Sequence, residues 1–297
     1  MKSKKIGRAA VMLFRYFILI GISFLILYPL LVTVLISLMQ TSDFLNSAVR
    51  YLPVSPTLGN YKTAAIFLEY GKTLAKSLVL NVPLCLLEIA SCSVVAYGLA
   101  RFHFKGNRLL FGCVILTLLV PSSIYFTPFY FSLQDYGPFG WNLLGTPLPL
   151  FLMSVCGLGV KNGLVIYILR QHFKGYPKEL EEAAQIDGAG SIRVFISIML
   201  PGAASIAVTC FMLIFVFRWT DPTYTQIFLP DHEYIWTKLA SINSSMSLLP
   251  GVSGDDHYFR SILKNTSIVL YIIPLIVLFI GAKRRLVESI ETSGLVG

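Results

Sequence analysis

The chain has 297 residues, 55% of them drawn from Ala, Val, Ile, Leu, Met, Phe, Trp, Tyr and Cys and only 13% charged, with a mean hydropathy of +0.71. A soluble domain carries about a quarter charged residues, and a chain this apolar cannot cover a water-soluble globule with polar side chains. That excludes most soluble enzymes and nucleic-acid binders, and the net charge of +9 is read instead as loop charge on a polytopic membrane protein.

Apolar runs long enough to cross about 30 Å of hydrocarbon predict an all-α fold with six transmembrane helices. They cover Leu13–Leu38, Ser77–Ala100, Leu109–Leu133, Pro147–Leu169, Ala203–Trp219 and Leu263–Ala282. Lys2, Lys4, Lys5 and Arg8 precede the first run, as they would precede a signal peptide. The run is too long for an h-region of about 7–15 residues and no A-x-A pattern follows, so it is expected to stay as a helix. Cys85, Cys92, Cys113, Cys156 and Cys210 all fall inside apolar segments without a C-x-x-C pair. They read as small packing residues rather than a metal or disulfide set.

Lys and Arg collect in cytoplasmic loops, so their positions orient the chain. With the N-terminus inside, the cytoplasmic side holds the N-terminal cluster, then Arg101, Lys105 and Arg108, then Arg170, Lys174, Lys178 and Arg193, and finally Lys283, Arg284 and Arg285. Both termini are then cytoplasmic. Two long outer segments remain, Ser42–Lys76 and Thr220–Ile262, the second carrying Trp236, Tyr234, Tyr258 and the acidic pair Asp255–Asp256. Each reads either as a partner-contact surface or as a solvated connector. There is no internal repeat, and residues 1–297 read as one domain.

The cytoplasmic segment Pro177–Pro201 reads PKELEEAAQIDGAGSIRVFISIMLP. Pro177 suits position N1 of a helix, and Glu179, Glu181 and Glu182 suit its positive end. Gly188 and Gly190 are expected to end that helix and admit positive φ. Ser191 is an N-cap candidate for a second helix with an Ile192, Phe195, Ile196, Met199 face, which Pro201 ends. The result is a helix–turn–helix knob with carboxylates at its exposed tip. It is either a docking element or an interfacial pair with no partner; an acidic first helix argues against reading DNA phosphates.

This segment resembles the EAA signature of ABC-importer permeases, E-A-A-x3-G-x9-I-x-L-P. Glu182, Ala183, Ala184, Gly188, Ile198, Leu200 and Pro201 stand at every spacing. Val94–Phe111 and Phe217–Leu229 look like segments of the maltose-type carbohydrate permeases, as does the tail LVESIETSGLVG. Val296 stands where that family usually has Lys, and Thr220 where it has Asn in Trp-Asn-Asp. The resemblance implies that the loop is a coupling helix, with Glu182 and Asp187 facing an ATPase subunit and Gly188 permitting the tight turn. It further implies a homologous permease as heterodimer partner, two ATPase subunits that bind ATP and Mg, and an extracellular solute-binding protein that delivers a sugar. No cofactor is expected on this chain, and no nucleic acid.

Ionisable residues inside spans are functional candidates by default. Glu88 lies about 13 residues before Arg101 and Lys161 about 9 before Arg170, so at about 1.5 Å per residue their depths differ by roughly 6 Å. If those helices are neighbours, a Glu88–Lys161 ion pair is geometrically reasonable. It is read as a tie holding the bundle, a lining of the translocation path, or a mobile pair that rearranges. Asn81, Asn162, Gln134 and Tyr125 are candidates for hydrogen bonds to sugar hydroxyls. Gly157, Gly159, Gly163, Pro83, Pro121 and Pro128 either bend helices around a pathway or pack closely.

Gly71-Lys72-Thr73 resembles the end of a P-loop, but Ile66 stands where Gly is required, on the external side. No H-E-x-x-H, G-x-S-x-G or Cys/His cluster occurs, so no catalytic residue and no metal site is expected. The readings left open are a permease of an ABC sugar importer, the same machine for another solute, and an autonomous secondary transporter or membrane enzyme.

Overall fold

An apolar run in hydrocarbon must satisfy its backbone internally, as one long helix or as shorter helices whose freed groups find other partners, and a proline or glycine within it breaks the helix at some positions and is absorbed at others. The computed structural model describes residues 2–46, 52–137, 140–242 and 257–294. In chain order it contains α1 (Lys2–Ser37), α2 (Thr41–Leu45), α3 (Gly59–Phe67), α4 (Tyr70–Arg101), α5 (Asn107–Leu116) and α6 (Ser122–Gln134). There follow α7 (Leu148–Val155), α8 (Asn162–Gly175), α9 (Lys178–Ile186) and α10 (Ser191–Val194). A π-helical turn, Phe195–Met199, leads into α11 (Leu200–Gly202), α12 (Ala204–Thr220), α13 (Thr223–Phe228), α14 (Ile235–Ala240) and α15 (His257–Gly294). The fold is all-helical; among the described residues one isolated bridge, Tyr136–Trp141, is the only strand-like pairing.

Among the described residues, three helices are long and apolar enough to cross a membrane, Val11–Ser37, Tyr70–Arg101 and His257–Leu286. A fourth crossing is formed if Ser191–Gly202 and Ala204–Thr220, bent by 76° to each other, count as one span. The predicted third and fourth runs are not continuous. Pro121 is extended (ψ 136°) and separates α5 from α6. The fourth run is interrupted over residues 156–161, where Gly157 and Lys161 have φ of +69° and +59°. Pro83 and Pro128, by contrast, lie inside α4 and α6.

The chain divides into two compact units, Met1–Thr73 with Ile235–Ile273, and Leu74–Tyr234 with Pro274–Gly297. In the first, Ala64, Leu68, Ile242, Leu263 and Leu270 form the core, with Tyr61, Tyr70 and Phe259 packed on it. Asn60 Nδ2 donates to the Ser37 and Met39 carbonyls at 2.8 Å, answering acceptors that the end of α1 leaves free. None of the apolar window of α1 is buried within the chain. Glu69 bonds Lys72 (2.8 Å) and Lys238 (3.0 Å), and those ammonium groups, Lys72 first, hold its carboxyl down to about 2. Asp255 and Asp256 lie outside the described residues.

In the second unit α8 packs on α5 and α12. Gly163 makes the α5–α8 approach possible: a Cβ there would lie 2.6 Å from Thr117 Oγ1 and 2.7 Å from the Val114 carbonyl oxygen. A backbone carbonyl cannot swing aside, so Gly163→Ala is expected to cost about 1–3 kcal/mol through overpacking. Gly112 on α5, with open space around it, is the control. Thermal unfolding in detergent should show a lower Tm for Gly163→Ala and not for Gly112→Ala.

Candidate functional site

The interruption between α7 and α8 builds a cavity. Its volume is about 520 Å³, and its lining includes Thr117, Phe129, Lys161, Asn162, Asp221 and Tyr224 together with residues 157–160. Lys161 is exposed and stands at the N-cap of α8. Asn162 is only 7% exposed, and neither polar atom of its side-chain amide has a hydrogen-bond partner among the described residues. Asp221 is already engaged: its Oδ1 accepts from the Thr223 amide at 3.1 Å and from the Thr223 hydroxyl, which starts α13. The Tyr224 ring meets Phe126 edge-on at 4.5 Å.

Glu88 is fully buried, and its partner is Arg218, not Lys161. Arg218 donates to Glu88 Oε2 from Nε at 2.9 Å and from Nη2 at 2.5 Å, and from Nη2 to Ser154 Oγ at 2.8 Å. Depth alone favoured Lys161, but Lys161 leaves its helix with a left-handed backbone and turns to the cavity. Sequence reasoning did not name Arg218 among the intramembrane candidates, although it lies inside the predicted fifth span. That span ends at Trp219, and Arg218 was readable there as one of the intramembrane charges of the right sign to pair with Glu88.

Of the other candidates, Asn81 is buried but spends its amide on the Ser77 carbonyl within α4. Gln134 ends α6 and is exposed. The side chain of Tyr125 lies outside the described residues. Glu88, Lys161 and Asn162 are thus gathered around one interruption, and Asn81 is not part of it. Cys85, Cys92 and Cys210 are buried packing residues, whereas Cys113 and Cys156 are exposed; all five are free thiols.

The second feature is the knob. Pro177 is the N-cap of α9 rather than its first residue, and Gly190, not Ser191, is the N-cap of α10. Gly188 has φ +83°, while the Ala189 amide reaches back to the Ala184 carbonyl (2.9 Å) and the Gly188 amide to that of Gln185 (3.0 Å). This is a glycine-terminated helix end with its last carbonyls satisfied. Gly190 has φ −72° and needs no glycine freedom. Pro201 does not end the second helix. Lacking an N–H and crowding the carbonyl four residues earlier, it sits just after a π turn in which the Leu200 amide bonds Phe195 O. Glu182, Ala183 and Asp187 are exposed, Ala184 and Ile198 half-buried, and Leu200 and Pro201 exposed. Glu181 is turned inward, 2.6 Å from Arg101.

The family described as binding-protein-dependent transport system inner membrane component matches residues 92–291 of this chain. The diacetylchitobiose uptake system permease protein of Streptomyces coelicolor is 32% identical over 70% of this chain and 69% of its own. An osmoprotective compounds uptake permease protein of Synechocystis is 29% identical over 92% of this chain and 88% of its own. Among solved structures, a bacterial ABC transporter involved in the import of the acidic polysaccharide alginate shares the fold. Its TM-score is 0.69 at 20% identity, over 92% of this chain and 96% of that one. A family match over two thirds of the residues identifies a transport subunit rather than an enzyme, and the chain belongs to the binding-protein-dependent transport system inner membrane component family.

Proposed function

We propose that this chain is one half of the translocation pathway of an ATP-driven importer for a sugar or oligosaccharide, working beside a homologous permease. Residues 1–297 act as one transmembrane domain of six crossings with both termini in the cytoplasm; the split third and fourth runs each count as one crossing. An extracellular solute-binding protein delivers the sugar to the outer segments, and two ATPase subunits, which carry ATP and Mg, seat the knobs. Glu182 and Asp187 face the ATPase and Gly188 sets the turn. The apolar Ile186 and Ile192, 86% and 77% exposed on this knob, suit a surface that a docked subunit covers.

The observation that carries the solute class is the cavity. It is large enough for a sugar ring, and its lining holds the Asn162 amide, without a hydrogen-bond partner among the described residues, together with Tyr224 and Phe129. An amide that gives and accepts, next to aromatic faces, matches the hydroxyls and apolar face of a saccharide. The diacetylchitobiose permease supports the same class. The osmoprotectant permease favours a second reading, the same machine carrying a non-sugar solute.

Co-expression with the candidate ATPase and binding protein tests the assembly. The expected result is a stoichiometric ATPase co-purifying with this chain, and uptake that needs both ATP and the binding protein. Ion-driven uptake by this chain alone overturns the reading. Within the assembled importer, Asn162→Ala is expected to raise the solute KM about tenfold, the scale of one or two lost charge-free hydrogen bonds. A glycan panel against an osmolyte panel then separates the two solute classes.

A further inference from the structure

We infer that Glu88 and Arg218 form a positioning pair that pins the interruption of the fourth apolar run and so sets the shape of the cavity beside it. The inference rests on the reading of that cavity as part of the path, and its test separates the two.

The pair sits where the backbone is broken. Arg218, from the last turn of α12, reaches Ser154, one residue before the end of α7. Glu88, from the middle of α4, lies against Gly159 and the Val160 amide, just before α8 begins. The guanidinium thus stands at the carbonyl end of one short helix and the carboxylate at the amide end of the next. That is the orientation in which half-helix dipoles favour each charge. A second tie runs from α4 to the same point, the Ser91 hydroxyl donating to the Ser154 carbonyl at 2.7 Å.

Gly159 fits only because it has no side chain, since a Cβ there would run into the Glu88 carboxylate. Two residues of the cavity wall, Gly159 and Val160, therefore lie directly against the ion pair. With 5% and 0% of the two side chains exposed, each charge depends on the other. Removing one leaves its partner uncompensated in the interior, where the cost is large. An apolar tie of equal volume lacks the opposed charges that match the two helix ends. A tie of that plain kind changes how much importer assembles. A positioning pair changes how the assembled importer handles solute.

The test uses the assembled importer in proteoliposomes with its binding protein, comparing Glu88→Gln, Arg218→Gln, the double variant and Gly159→Ala. Two readouts are taken: solute moved per ATP hydrolysed, and the rate at which a water-soluble maleimide labels Lys161→Cys with Cys113 and Cys156 replaced by Ser. Each single variant and Gly159→Ala should lower solute per ATP by about tenfold and shift the labelling rate several-fold. The double variant should regain about threefold over either single, because no charge is left alone. Gly159→Ala keeps both charges and remains informative where a neutral variant fails to assemble. Unchanged labelling in Gly159→Ala overturns the positioning role. Shifted labelling with normal solute per ATP supports that role and removes the cavity from the path.

Discussion

Replacing Glu182 with lysine is expected to remove at least about nine-tenths of uptake while the subunit still folds and inserts. Glu182 is exposed on α9 and makes no hydrogen bond or ion pair among the described residues, so nothing inside the chain is lost. Its cost falls on whatever the knob touches. Reversing a charge that is paired across an interface costs about 2–5 kcal/mol, a factor of roughly 30 or more in affinity. Gly188→Val is expected to give the same phenotype by another route. No atom lies within 4 Å of a Cβ at position 188, so the chain offers no clash there. The penalty is the left-handed backbone, φ +83°, which costs a β-branched residue about 1–3 kcal/mol and opens the turn. The measurements are co-purification of the ATPase, solute-stimulated ATP hydrolysis and uptake. A partner ATPase carrying the complementary charge reversal should rescue Glu182→Lys and not Gly188→Val. If both variants keep full stimulated hydrolysis and full uptake, the knob is not the coupling element.

What could be read from the sequence was whatever depends on local pattern. The runs that became α1, α4 and α15 are unbroken and apolar, and hydropathy located them to within a few residues at most ends. Gly188 was identifiable because a glycine that follows a short helix with acidic residues in its first turn supplies the left-handed residue that ends it. The interruptions were less legible. Pro121 and Gly157 were among the residues read as bending their runs or packing closely, but the sequence did not tell which of those residues would break a helix. Pro83 and Pro128 show the other side of this: the same residue type leaves α4 and α6 intact.

The ion pair was the least legible part, for a reason specific to helical membrane chains. Depth along a span can be counted from the arginines expected at its end, Arg101 and Arg170, and that count put Glu88 and Lys161 at similar levels. Azimuth cannot be counted in the same way, because it depends on which helices are neighbours. Lys161 also turns out of its helix at the interruption, so its position in the run gives no facing at all. Arg218 stands one residue before the aromatic end of its run, where snorkelling to the interface is the ordinary expectation. It turns inward because Glu88 and Ser154 supply acceptors there.

The same logic of inward-turned charge makes Glu181→Gln the second large effect. Arg101 Nε lies 2.6 Å from Glu181 Oε1, with the side chains only 7% and 12% exposed, and Arg101 Nη2 donates to the Tyr176 carbonyl at 2.7 Å. Arg101 ends α4 and Glu181 belongs to α9, so one guanidinium ties the second span to the knob and to the link that precedes it. The Tyr176 ring in turn lies against Gly202, at the 76° bend that leads into α12. A push on the knob therefore reaches two spans through side chains rather than through a loop. Breaking a buried pair on one side costs about 3–5 kcal/mol, and slight exposure brings that to about 2–3 here. Glu181→Gln is expected to lower the Tm and to cut uptake about tenfold, yet to leave ATPase co-purification intact, because the outward face with Glu182 is untouched. Raised salt should not mimic it, since a buried pair is poorly screened. The exchanged pair Arg101→Glu with Glu181→Arg should recover part of the Tm in a double-mutant cycle. Loss of ATPase binding in Glu181→Gln would place this carboxylate on the docking face instead of behind it, and the lever would have to run through another contact.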